Sequence, residues 1–191
     1  MFPIFAERAR KRAIGRQLYE SIVARARAEV FYHDLGVPDT MEGRFDLIVL
    51  HLHLVLTRLK REGEVGQSVG QIMLEQLIAD TDDALRQIGY GDMGVPRRVQ
   101  RAAAAIRERA VDYAEGLDPA VAEPTAKAAL QKALLAHVFE HPDGVAPPHI
   151  VARAAALAAY TRASVIALHD LSRDAFLAAR LPFAAVEPVA S

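Results

Sequence analysis

The chain has 191 residues and sets 23 lysines and arginines against 24 aspartates and glutamates, a formal net charge of −1 with a pI near 6.7. Such a length suits one domain that buries about 70% of its unfolded surface, and the balanced charge argues against a dedicated nucleic-acid binder, which is basic as a whole. Cysteine is absent, which excludes a disulfide framework and thiol chemistry.

The first thirty residues read as an amphipathic helix. Phe2, Ile4 and Phe5 open it. Arg8, Arg10, Lys11, Arg12 and Arg16 then stand against Glu7 alone, a net +4 over residues 1–16, while Ile14, Leu18, Ile22 and Ala26 keep helical spacing. No apolar h-region follows, so the segment is not a secretory signal. It resembles a mitochondrial transit peptide, but its periodic pattern continues into the fold. The basic face is either solvated or attached to an anionic surface, lipid headgroups or ribosomal RNA.

Residues 37–61 are the stretch around which the chain is organised. Asp39 is placed to cap a helix and Glu42 to reach back to the cap's amide. Leu50-His51-Leu52-His53-Leu54 alternates like a strand, yet no other segment alternates to pair with it, so the stretch reads as a helix of about 20 residues, ~30 Å long. At roughly 100° per residue, Glu42, Asp46, Val49, His53, Thr57 and Lys60 share one mostly polar seam, and Arg44, His51 and Arg58 share the opposite one. Both flanks between the seams are apolar, which predicts a central, buried helix. The seams then face water, polar groups of other helices, or a partner. The run Leu47–Leu56, broken by His51 and His53, is too short for the ~20 residues that span a bilayer, and no integral membrane segment is expected.

Residues 62–70, with Gly63, Gly66 and Gly70, read as a flexible turn before a helix over about 69–88. Asp80, Asp82 and Asp83 resemble part of a magnesium-diphosphate motif of helical isoprenoid enzymes, but no second acidic set follows. They read as surface charges, with Asp82 placed to pair with Arg86. Gly89 to Gly94 matches G-x-G-x-x-G by letter, yet it follows a helix where the dinucleotide fingerprint needs a strand. The glycines instead read as a cap and turn before a fourth helix, about 96–117, whose first turns carry Arg97, Arg98 and Arg101, a solvated face or an anion site. A fifth helix, about 125–139, ends in His137-Val138-Phe139-Glu140-His141. That string matches H-x-x-E-H zinc proteases, but Pro142 and Gly144 end the helix and about fifty residues remain for the rest of an enzyme. After a Pro/Gly linker, residues 150–179 read as one Ala-rich helix. The tail 181–191 reads as irregular, with Leu181, Phe183 and Val186 able to dock on a neighbour.

No nucleophile elbow, P-loop or paired Glu-x-x-His motif is present, and His51 and His53, about 200° apart on a helix, cannot share a metal. The residues therefore predict an all-α, single-domain bundle of about six helices around a central helix near residues 41–61. Residues 1–17 form a basic N-terminal segment, 18–180 the helical domain and 181–191 the tail. It has no catalytic residue, no metal site and no cofactor.

Three blocks go further. Leu18-Tyr19 through Phe31-Tyr32-His33-Asp34-Leu35-Gly36-Val37-Pro38-Asp39-Thr40, Gly43-Arg44-Phe45-Asp46-Leu47 through Arg58-Leu59, and Ala79-Asp80-Thr81-Asp82 through Gly91-Asp92 and Gly94-Val95 resemble the ubiquinol–cytochrome c chaperones. The resemblance covers roughly residues 18–140. It implies an all-helical, non-catalytic assembly factor for respiratory complex III that holds newly made cytochrome b, or another apolar subunit, until haems and further subunits arrive. It implies work beside the ribosome exit with a small partner protein; action alone or as a homodimer stays open, and DNA is not expected as a partner. The place of action is the cytoplasmic face of a bacterial inner membrane, or the matrix side in a mitochondrion. Candidate contact residues carried over with the motif are Phe31, Tyr32, Asp39, Arg44, Asp46, His51, Asp92, Arg97 and Arg98, of which Asp39 also reads as a cap and Phe31 and Tyr32 as core. Arg8, Arg10, Lys11, Arg12 and Arg16 are the candidates for the membrane or ribosome. The chain departs from the family around Ile78 and Thr81, usually richer in Phe and Met, and at Ile106-Arg107-Glu108-Arg109, usually aromatic. The alternative reading is a lipid- or quinone-carrying helical module, which needs an enclosed apolar pocket.

Overall fold

Helix α1, Phe2–Ala26, opens the chain in the computed structural model, which describes residues 2–89 and 94–187 and side chains from Phe5 onward. Ile14, Leu18 and Ile22 recur every four residues, so one stripe of α1 is buried while Arg8, Arg10, Arg12 and Arg16 remain exposed. The basic segment is thus the first part of one unbroken helix. A short α2, Glu29–His33, turns the chain into α3, Met41–Leu59.

Helix α3 is central, packed by α1 and by helices that follow it, and twelve of its nineteen residues are buried. The cap differs from the expected one by a single position. Thr40 accepts the Gly43 amide at 3.1 Å, while Asp39 pairs with Arg44 at 2.6 Å in solvent, because the backbone turns at Thr40 and leaves Asp39 outside the first turn. Gly43 is required here: a Cβ would collide with the Pro38 carbonyl.

The expected flexible turn at 62–70 is instead the start of a helix. A single 3-10 turn, Lys60–Glu62, leads directly into α4, Gly63–Gln87. Gly63 takes a positive φ of 56° that reverses the chain, and Gly66 lets α4 press on the Leu59 carbonyl. Then follow α5, Val95–Asp112, α6, Ala114–Leu117, α7, Glu123–His137, α8, Pro148–Asp170, and α9, Arg173–Leu177. The described residues thus form six long helices, as the hydrophobic spacing predicts, and three of five residues or fewer. The helix expected over 96–117 is broken at the buried Tyr113. By composition α8 is long and apolar enough to cross a membrane, yet it packs as a core helix with Tyr160, Thr161 and Arg162 buried.

Three buried or half-buried arginines hold the connections. Arg58 of α3 donates to the carbonyls of Leu168 and Leu171, at 3.0 and 3.1 Å, and lies over the Phe176 ring. Its grip on these last carbonyls stops α8 where the sequence pattern continues, so the helix expected over 150–179 is divided. Arg162 of α8 donates to the carbonyls of Asp118 and Val121, both at 2.6 Å, and to Glu123 at 2.8 Å, fixing the α6–α7 loop. Arg25 donates to Tyr160 and to the Ala184 carbonyl. That bond docks the irregular tail, whose Phe183 ring stands 5.3 Å from His51.

The middle of each α3 seam is turned inward to other helices, while Glu42, Arg44 and Lys60 stay exposed. Leu47's carbonyl can only accept, so His51 Nδ1 donates to it at 2.7 Å and Nε2 accepts from the Tyr160 hydroxyl at 2.7 Å. His53 Nε2 donates to the Ile106 carbonyl at 3.0 Å. Asp46 pairs with Arg109 at 2.6 Å.

Placing a methyl on residue 43 tests the packing at the start of α3: Gly43→Ala should cost about 2 kcal/mol or more, a drop of several degrees in a calorimetric midpoint. Acid should also destabilise the fold. Burial lowers His51 and His53 to about 4 from the ordinary 6.5, so the unfolded chain takes up protons first as pH falls from 6.5 towards 4, and each histidine withdraws up to roughly 3 kcal/mol. Asp46 opposes them, since burial raises its carboxyl to about 6 from 3.8 and the folded chain takes that proton first. With two groups against one, the melting temperature should fall between pH 7 and about 4.5, and more steeply in Asp46→Asn; a midpoint that rises on acidification would contradict this balance.

Candidate functional site

A groove of about 600 Å³ runs along the first half of α3, where α1, α4 and α5 do not close over it. Helical spacing turns Phe45 and Ile48 of α3 towards Leu77 and Leu85 of α4, which makes the floor apolar. The rim is cationic: Arg27 follows α1, Arg44 belongs to α3, and Arg98 and Arg101 stand on the first turns of α5. Met41, 40% exposed, lies at its mouth.

The inner end is closed by Asp46 and Arg109, whose side chains are 9% and 12% exposed. Opposite, Tyr19 of α1 donates to Asp80 of α4 at 2.8 Å, and burial together with that carboxylate pushes its phenol up. Beside the mouth, Arg44 holds the Asp39 carboxyl below its usual range. These groups pair with one another, and none is a base poised against a nucleophile. The groove thus sets an apolar floor beside guanidinium groups, which can form bidentate contacts to carboxylates.

A second groove, of about 790 Å³, lies along the other half of α3. Leu54, Leu56, Leu74 and Ile106 line it, with Lys60, Arg61 and Arg107 among its basic residues. Helix α5 crosses α3 between the two.

Of the residues read from the sequence, the structure brings Arg44, Asp46 and Arg98 to the first groove. Asp39 stands beside it through Arg44. Arg97 is exposed but is not part of its lining. Phe31 and His51 are fully buried, stacked edge to face at 5.4 Å, and offer no surface to a partner. They hold α2 and α8 to α3 instead. Asp46 also faces Arg109 rather than solvent. Tyr32 is half-buried and donates to the Ala26 carbonyl at 2.8 Å. Asp92 lies outside the described residues. Arg8, Arg10 and Arg12 are exposed and line neither groove, Arg16 lines a smaller pocket with Tyr19, Arg27 and Asp80, and Lys11 pairs with Glu7 at 3.0 Å.

The H-x-x-E-H string is not a helical ligand pair. His137 ends α7 and contacts Asp112 at 2.6 Å, and Glu140, with a φ of 59°, turns the chain away before His141. Among the described residues no three metal-ligating side chains converge. Asp82 pairs with Arg86 at 2.7 Å, as the spacing predicts.

Sequence reading missed the groove floor and Arg109. The departures from the family pattern were the available signal, because Thr81 and Arg109 both line the first groove and Ile106 and Arg107 the second.

Comparison with known proteins agrees with this architecture. A family model described as ubiquinol-cytochrome C chaperone matches residues 33–183. The crystal structure of the Cbp3 homolog from Brucella abortus superposes with a TM-score of 0.78 at 31% sequence identity, covering 97% of this chain and 97% of that one. A search of curated proteins finds no match. With a family match over most of its length and a shared fold from end to end, the chain belongs to the ubiquinol–cytochrome c chaperone family.

Proposed function

We propose that this protein is a non-catalytic assembly chaperone of complex III that shelters an apolar membrane segment of newly made cytochrome b in the groove beside α3. The observation that carries the reading is the groove itself, an apolar floor open to solvent within an arginine rim. Each leucine-sized side chain withdrawn from water there contributes about 1.5–3 kcal/mol, so a few suffice to hold a segment until it is handed on. A lipid or quinone carrier would enclose its ligand, and the open mouth favours a protein segment. Arg8, Arg10, Arg12 and Arg16, exposed along the first half of α1, suit attachment to an anionic surface near the site of synthesis.

A photo-crosslinking residue at Phe45 should capture cytochrome b in growing cells. In the same cells Met41→Glu with Phe45→Ser should lower complex III content by about fivefold or more while the purified variant melts within ~5 °C of the parent. Unchanged complex III, with the variant present at normal levels, would reject the groove as the client site.

A further inference from the structure

We propose that the two grooves are the ends of one trough along α3 and that α5 is a movable strap across it, so that the segment taken up is a whole transmembrane helix rather than a short apolar stretch. The inference rests on the client-binding reading above and names the class of segment that fits.

The grooves divide α3 end to end. Residues 41–48 line the first and residues 53–61 the second, without overlap. Helix α4, running back along α3, continues the same wall through Leu77 to Leu85 in the first and Leu74 in the second. What separates them is the crossing of α5, fastened at two points of α3: Asp46 to Arg109, and His53 to the Ile106 carbonyl.

That crossing buries little apolar surface. Of the eighteen residues of α5, Val95 and Ile106 are the buried ones, and its faces towards the grooves include Ala102, Ala105 and Ala110, which offer little area to bury. At the same crossing the closed arrangement leaves Arg109 Nε and the Tyr113 hydroxyl buried without hydrogen-bond partners, so shutting the strap does not satisfy its own polar atoms. Interruptions of regular helix bound the strap on either side. Gly89 has a φ of 89° with open space around its α-carbon, and the helix breaks at Tyr113.

Length and charge select the occupant. The nineteen residues of α3 span about 28 Å, close to the ~30 Å of a bilayer's hydrocarbon core. Either groove alone accepts only part of such a helix. Arg44 towards one end and Arg61 towards the other match a span with acidic or carbonyl-rich flanks.

The cysteine-free chain makes the test direct. Glu75→Cys on α4 and Glu108→Cys on α5, both exposed in the parent, carry nitroxide labels for pulsed dipolar distance measurement. The probe is a fluorescent Leu/Ala helix of about 20 residues with aspartates at both ends, alongside a version of about 10 residues. The long helix should move the mean label distance by about 5 Å or more as it binds, and the short one should bind without moving it. A bound long helix with an unmoved distance overturns the strap and leaves the chaperone reading standing. Equal displacement by both lengths overturns the requirement for a full span. Binding of neither peptide removes the groove reading, and the strap with it.

Discussion

Helix α3 bears imidazoles and charges on two opposite seams and yet lies inside the protein, so each of these groups needs a partner on whichever helix covers it. Leucines bring helices together without deciding their rotation. The polar pairs decide it. His51 requires the Tyr160 hydroxyl and so sets the facing side of α8. Arg58 requires carbonyls and finds them at the end of α8. Asp46 and His53 draw α5 across the middle of α3. The bundle's geometry follows from the cost of leaving any of these unpaired, about 1–3 kcal/mol for a neutral group and more for a charge.

Much of this was legible in the amino-acid order. A helix with two apolar flanks has to be central, and the four-residue recurrence of Ile14, Leu18 and Ile22 marked the buried stripe of α1. What stayed hidden depends on distant partners. Ser172 caps the short helix that follows α8, and Arg58, more than a hundred residues earlier, takes the carbonyls of Leu168 and Leu171 at that end. Arg162 sits in an Ala-rich helix like any solvated arginine, and only the loop before α7 shows why it is buried. Gly63 and Gly66 looked like flexibility because composition does not separate a loose chain from two helices pressed together. Asp39 and Thr40 are both capable caps, and one backbone torsion chose between them.

The candidate site was legible only in part, for a related reason. A family motif mixes residues that build the fold with residues that meet a client, and the string itself does not distinguish them. Burial does: Phe31 and His51 fall to the fold, and Arg44 and Arg98 to the groove. Of the positions that the sequence sets apart from the resembled pattern, Thr81, Ile106, Arg107 and Arg109 line the two grooves, and Ile78 and Glu108 do not. The framework is shared with the Brucella protein.

The clamp at Arg162 has one more implication. Apart from its ion pair with Glu123, the guanidinium holds residues 116–121 entirely by main-chain oxygens. Every amino acid supplies that oxygen, so the fastening is indifferent to most side chains along the loop. Such a segment can drift in composition over generations, acquiring or shedding surface character beside the second groove, while the scaffold beneath keeps its shape.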